Sequence, residues 1–176
     1  QSLKKKIESS LFQFKEHPLI TISPHILNVN DSILAQCPFL SCNFNDSSNS
    51  SFLVINGVLF TNPFETLLCF PTFLNISSYV IPINVTSIGD FSFSFCSRLH
   101  SVTIPTNVTS IGNSAFSYCS NLQSIVIPTS VTSIGDSAFF GCESLQLIDV
   151  DCNNSQYVST EGILFSKDYK LLLCFP

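Results

Sequence analysis

The chain has 176 residues, a net charge of −5 and a sequence pI near 4.9. With 45% hydrophobic and only 11% charged residues, it can bury a core, but it lacks the clustered Lys and Arg that a sequence-independent grip on nucleic acid requires. No run of 18 apolar residues exists to cross a membrane as a helix, and 29 Ser and 14 Asn make a surface that is polar without being charged.

Residues 1–16 hold the basic run Lys4-Lys5-Lys6, a solvated terminus on charge-run grounds, and a weak copy of a later motif, with Ile7–Phe12 resembling Ile111–Phe116. The chain starts at Gln1 without Met, shows no signal peptide and stops at Pro176, which reads as a piece of a longer protein. Residues 22–71 then match 127–176 at an offset of 105. Asp31-Ser32 aligns with Asp136-Ser137, Cys37 with Cys142 and Leu40 with Leu145. Further on, Gly57–Phe60 aligns with Gly162–Phe165, and Leu67–Pro71 with Leu172–Pro176.

Between these copies lie three gapless segments in a 23-residue phase, Val80–Leu99, Thr103–Leu122 and Val126–Leu145. Ile-Pro recurs at 81, 104 and 127, Ile-Gly at 88, 111 and 134, and Cys at 96, 119 and 142. The 105-residue period is three such units plus one of 36, a standard unit carrying 13 extra residues. Self-similarity at this period is the mark of a solenoid, whose single units cannot bury their own apolar edges.

Within a unit, Leu122-x-x-Ile125-x-Ile127 has the leucine-rich-repeat form, and its period-two alternation predicts a short strand. The pattern places parallel strands near 20–22, 43–45, 79–81, 102–104, 125–127 and 148–150, a stack of about 25–30 Å. Pro128 ends pairing because it has no N–H to donate, and Val131 and Ile134 turn inward. Gly135 allows a tight turn where a Cβ would not fit. Asn113, Asp136 or Ser137 offers an oxygen to cap a short helix, which Ala138, Phe139 and Cys142 would pack onto the core. The expected fold is a right-handed β/α superhelix with short parallel strands on one face, short helical turns opposite and β-hairpin insertions. It forms one domain over 1–176: a degenerate first repeat at 1–16, hairpin-bearing units at 45–80 and 150–176, and regular repeats at 81–149. The hairpins pair Val58–Phe60 with Leu67–Phe70 and Ile163–Phe165 with Leu171–Phe175 across polar turns, and should project from the side of the solenoid.

These motifs resemble the BspA-type leucine-rich repeat, whose unit reads roughly LxxIxIPxxVTSIGxxAFxxCxxL. The likeness covers 17–176 and is clearest over 76–150; the unit with G-[VI]-L-F followed by L-L-C-F-P resembles a companion repeat of the same family. The resemblance implies surface proteins of parasitic protists and mucosal bacteria, with roles in adhesion to a host cell surface or matrix. It supplies no catalytic residues.

The eight cysteines contain no C-x-x-C pair, so a zinc site lacks its usual spacing. Cys37, Cys96, Cys119 and Cys142 share one inward position and read as a core ladder, and Cys69 and Cys174 are equivalent hairpin positions. Cys42 and Cys152 break the pattern, and Cys37–Cys42 is the pair to test for a bridge. His17, His25 and His100 stand apart from any nucleophile-base order, Asp90 and Asp136 read as caps, and no phosphate-binding loop appears. No cofactor, metal or catalytic residue is therefore expected. Sequons begin at Asn30, Asn45, Asn49, Asn75, Asn84, Asn107 and Asn153, against about three expected by chance for this composition. They read either as biased composition or as glycan sites of a secreted protein.

The strand face should present Ser78, Ser101, Ser124 and Leu147 in one column and Val80, Thr103, Val126 and Asp149 in another, flanked by Ser77, His100, Gln123 and Gln146. A small, neutral, mildly apolar face suits a protein or glycan partner and no polyanion. Phe64 and Tyr169 on the hairpins are candidate aromatic contacts. The expected function is non-enzymatic binding for recognition or adhesion at the cell surface. An intracellular scaffold, suited by unpaired cysteines, is the alternative, and a glycan-active enzyme, which would need a carboxylate pair, ranks third.

Overall fold

The computed structural model describes residues 51–72 and 74–175. The expected strands at 20–22 and 43–45, the degenerate repeat, Cys37, Cys42, Asn30, Asn45 and Asn49 lie outside the described residues. Among the described residues thirteen strands form three sheets.

The 23-residue period builds two parallel ladders. One strand per coil enters the face sheet: β4 (Ser78–Val80), β6 (Ser101–Thr103), β8 (Ser124–Ile127) and β10 (Leu147–Val150), in spatial order β10-β8-β6-β4. The expected positions are met within one residue. Pro82, Pro105 and Pro128 then turn the chain, each carbonyl accepting from the amide three residues on, at Val85, Val108 and Val131. The two-residue strands β5 (Ser87–Ile88), β7 (Ser110–Ile111) and β9 (Ser133–Ile134) form the second side. Every pairing joins residues 23 apart, as Ser87 with Ser110 and Ser110 with Ser133, so side chains of one column stack. Phe93, Phe116 and Phe139 stack in the core at 4.9 and 5.6 Å, with planes within 12°. Phe70 extends the stack onto Phe93 at 5.1 Å.

The third side corrects one expectation. The described residues contain no helix; turns stand where the short helices were expected. In a helix each interior N–H bonds within its own segment. Here the amides of Ser92, Ser94 and Cys96 bond three residues back, to Gly89, Phe91 and Phe93. Those of Phe91, Phe93 and Phe95 cross instead to Asn113, Ala115 and Ser117 of the next coil. Alternate donors are thus spent between coils, so no helical ladder can close. The geometry needs left-handed residues, supplied by Phe91 and Phe95, Ser114 and Tyr118, then Ser137 and Gly141. Asp90 and Asn113 do cap amides, but those of the neighbouring coil: Asp90 Oδ1 accepts from Asn113 N at 2.6 Å and Asn113 Oδ1 from Asp136 N at 2.9 Å. Gly135 leaves no room for a Cβ, as expected, but the obstacle is the preceding coil. Its φ is not left-handed; a Cβ there would lie 2.5 Å from Asn113 N and 2.6 Å from the Gly112 carbonyl carbon. Gly112 and Gly135 permit coils to touch backbone to backbone.

The hairpin units differ from expectation in a second way. The antiparallel pairs are present, β2 (Val58–Thr61) with β3 (Thr66–Cys69) and β12 (Ile163–Ser166) with β13 (Leu172–Cys174). Each gains a further strand, β1 (Phe52–Ile55) or β11 (Tyr157–Thr160), through a two-residue turn at Asn56-Gly57 or Glu161-Gly162 with all four residues at positive φ. That is the mirror-image turn whose twist suits hairpins. The first unit does not project. β3 pairs in parallel with β5, giving a six-stranded sheet β1-β2-β3-β5-β7-β9, and Val58, Leu59, Phe60 and Leu67 are buried. The second unit is a separate three-stranded sheet held to the last coil. The buried Asn154 side chain donates to Pro128 O and Val131 O at 2.8 and 3.0 Å while its Oδ1 accepts from the amides of Gln156 and Tyr157.

Candidate functional site: the strand face

Strand alternation sets which side chains face out. Val102, Ile125, Ile127, Ile148 and Val150 are buried, so their neighbours must point away from the core. Ser78 pairs with Ser101, Ser101 with Ser124 and Ser124 with Leu147, which aligns the first expected column rung by rung. Val80 pairs with Thr103 and Val126 with Asp149 in the second. All of these are exposed except Ser101, which is half-buried, and Ser101 Oγ donates to Ser78 Oγ at 3.0 Å. Ser77, His100, Gln123 and Gln146 form a third row, joined by His100 N to Ser77 O, Gln123 N to His100 O and Gln146 N to Gln123 O at 2.7–3.1 Å. His100 sits just ahead of β6, not within it, and its Nδ1 lies 3.0 Å from Arg98 O.

The resulting surface is a flat array of hydroxyls, amides and exposed aliphatic side chains, with Val80 65% and Val126 55% exposed. His100 and Asp149 are its ionisable groups, and no two carboxylates share it. Among the described residues no group of three His, Cys, Asp or Glu could hold a metal. Such a face can make many short-range contacts and cannot concentrate charge.

Two hairpin contacts were expected. Tyr169 is exposed, beside Phe165 at 5.6 Å. Phe64 is half-buried, edge-on to Phe60 at 4.6 Å, so it serves packing and is not an open anchor. Asn75, Asn84, Asn107 and Asn153 are exposed. Asn107 Nδ2 donates to Ile83 O at 2.9 Å, and Asn75 Oδ1 accepts from Arg98 at 2.5 Å.

The cysteine ladder faces inward as expected. Cys96, Cys119 and Cys142 are buried and unpaired, each thiol donating to a carbonyl 26 residues back, at Phe70, Phe93 and Phe116. Burial holds the Cys96 thiol well above its ordinary range, and the neighbouring Cys69 adds to this. Cys119 is also raised, first by its hydrogen bond to Cys142 and then by burial, while the same bond lowers Cys142. Burial pushes Tyr79, packed against Phe70, up to about 12.

One feature escaped the sequence reading. Phe95, Tyr118 and Phe140 form an exposed aromatic row on the turn side, with Phe95 and Tyr118 stacked at 4.9 Å and Phe140 edge-on to Tyr118 at 5.4 Å. The column 95, 118, 141 reads Phe, Tyr, Gly; a Cβ at Gly141 would lie 2.7 Å from the Tyr118 ring. The aromatics at 95 and 118, one residue before each ladder cysteine, were the available signal.

Short parallel strands in strict 23-residue phase around one apolar stack define a leucine-rich-repeat solenoid. Residues 68–167 match the BspA type leucine rich repeat region in six copies, and the chain belongs to that family. Solved structures agree. A leucine-rich repeat protein of Eubacterium ventriosum is 30% identical with a TM-score of 0.58, the match covering 60% of this chain and 28% of that one. The pneumococcal vaccine antigen PcpA is 30% identical with a TM-score of 0.53, covering 58% and 26%. A leucine rich cell surface protein of Faecalibacterium prausnitzii is 35% identical with a TM-score of 0.51, covering 57% and 27%. The match thus spans little more than a quarter of each of these proteins. No curated protein matches the sequence.

Proposed function

We propose that this chain is a non-enzymatic recognition module that holds a protein or glycan partner on its strand face, at the cell surface or outside the cell, in adhesion to a host cell or matrix. The family is typically one of protein-interaction or surface proteins, and two of the similar structures are described as a vaccine antigen and a cell surface protein. The observation that carries the reading is the face itself: aligned, exposed columns of Ser, Thr, Val and Leu on a rigid backbone-paired sheet, with almost no charge. Extended solenoid faces bind in this manner. We read 1–176 as a single repeat domain, with Tyr169 as a secondary contact and glycans on the exposed Asn84 and Asn107.

The test is binding of the whole chain to a panel of extracellular-matrix proteins and glycans, beside a Val80→Lys/Val126→Lys variant of equal melting temperature. Binding that the variant weakens at least tenfold supports the reading. Binding that the variant leaves unchanged moves the site elsewhere, and no binding to any panel member sinks the adhesion reading.

A further inference from the structure

The cysteine ladder has one open rung. Cys96 and Cys119 are covered on both sides by neighbouring coils, whereas Cys142 belongs to the last regular coil. It borders a cleft of about 370 Å³ between that coil and β13, lined by Phe140, Cys142, Leu145, Leu173, Cys174 and Phe175 among others. Cys174, half-buried, faces the same cleft, and both thiols are free. They interact: burial raises Cys174 and the nearby charge of Cys142 raises it further, while Cys142 is the ladder thiol held low by its neighbour Cys119. β13 pairs with β12 along one edge only, and Leu173 and Cys174 pack against the core from that strand.

We propose that Cys142 and Cys174 are a thiol–disulfide pair, which a low-molecular-weight disulfide converts into a bond that closes this cleft. The step conserves atoms and electrons. Cys142 gives its proton to water, and its sulfur attacks one sulfur of the small disulfide, forming a mixed disulfide and expelling a thiolate. Cys174, deprotonated in turn, attacks the Cys142 sulfur; the Cys142–Cys174 bond forms and the second small thiolate leaves. Two protein thiols are oxidised, one disulfide is reduced to two thiols, and the two released protons end on those thiolates. A disulfide draws its Cα atoms to within about 7 Å, so the bond pulls β13 onto the last coil and shields Phe175. The pair stays open in a reducing compartment and closes in an oxidising one.

The test uses the full chain with the exposed Cys152 replaced (Cys152→Ser), exposed to oxidised glutathione under native conditions. It is then alkylated in denaturant and mapped by peptide mass spectrometry. The expected product is a linked peptide pair holding Cys142 and Cys174, two hydrogens lighter than the two reduced peptides together. Adding Cys174→Ser should arrest the reaction at a glutathione adduct on Cys142, and Cys142→Ser should leave Cys174 without a partner. Free, alkylated Cys142 and Cys174 after oxidation would overturn the proposal. So would a bond from either to a different cysteine, or a persistent glutathione adduct on Cys142 while Cys174 is present.

Discussion

Residues 58–70 and 163–175 carry the same pattern and form the same antiparallel pair, yet they meet different fates. Phe70 is 3% exposed and its counterpart Phe175 is 73%; Leu67 is wholly buried and its counterpart Leu172 is 55% exposed. The hairpins are not the cause, since β2–β3 and β12–β13 share the same register shift. The neighbour is. β5 pairs with β3, Phe70 N donates to Ser92 O, and Phe93 covers the Phe70 ring; no described element does this for β13. The lesson is that a unit of this repeat has no intrinsic inside. Its core is made by the coil stacked on it, so stability is a sum of interfaces.

The sharpest break of this comparison is truncation of the paired phenylalanines. Phe70→Ala, like Phe116→Ala in the same stack, should cost about 3–5 kcal/mol, while Phe175→Ala should stay within about 0.5 kcal/mol. Chemical denaturation of the three variants decides it; equal losses at 70 and 175 would mean that β13 is covered. Next comes the coil-to-coil contact itself. Gly135→Ala puts a methyl group against the backbone of the preceding coil and should cost about 1–3 kcal/mol by overpacking, read as a fall in melting temperature. In the opposite direction, the buried Ser92 hydroxyl finds no hydrogen-bond partner, and the equivalent positions hold Ala115 and Ala138. Ser92→Ala should therefore stabilise the chain by about 1 kcal/mol, and a loss would reveal a bond to that oxygen.

A smaller effect concerns alkaline pH. Tyr79 holds its proton up to about 12 when folded, against 10.0 when unfolded, and Cys96 and Cys119 are raised from 9.0. Above these unfolded values the unfolded chain has already released protons that the native state keeps, so stability falls as pH rises. The fall should begin near pH 9 with the thiols and continue from pH 10 with the tyrosine, whose own share levels off above about 12. Urea midpoints across pH 8–12 test this, and Tyr79→Phe should flatten the slope above pH 10.

The repeat phase made most of this legible. Ile-Pro, Ile-Gly and Cys at spacing 23 located four strands and the inward columns, and alternation gave the exposed face. The turn side was illegible because Asp90 and Asn113 suit a helix N-cap and an oxygen shared between coils equally well; only the position of the next coil chooses. Asn56-Gly57 is a hairpin-turn pair that the expected hairpins did not include. Whether that hairpin would project could not be read, because Val58, Leu59 and Phe60 are apolar in succession and the hairpin is drawn into the larger sheet only by β5, which pairs with β3 at Thr66–Ser87. Phe64 shows the same limit: a turn position gave no sign of the Phe60 edge on which it rests.

The claim that a neighbouring coil, not the hairpin sequence, makes the core is tested most directly by amide hydrogen exchange of the whole chain. Protection reports local opening. The β3 segment, residues 66–70, should exchange at least about a hundredfold more slowly than its counterpart 171–175. Equal protection of the two segments would contradict the account.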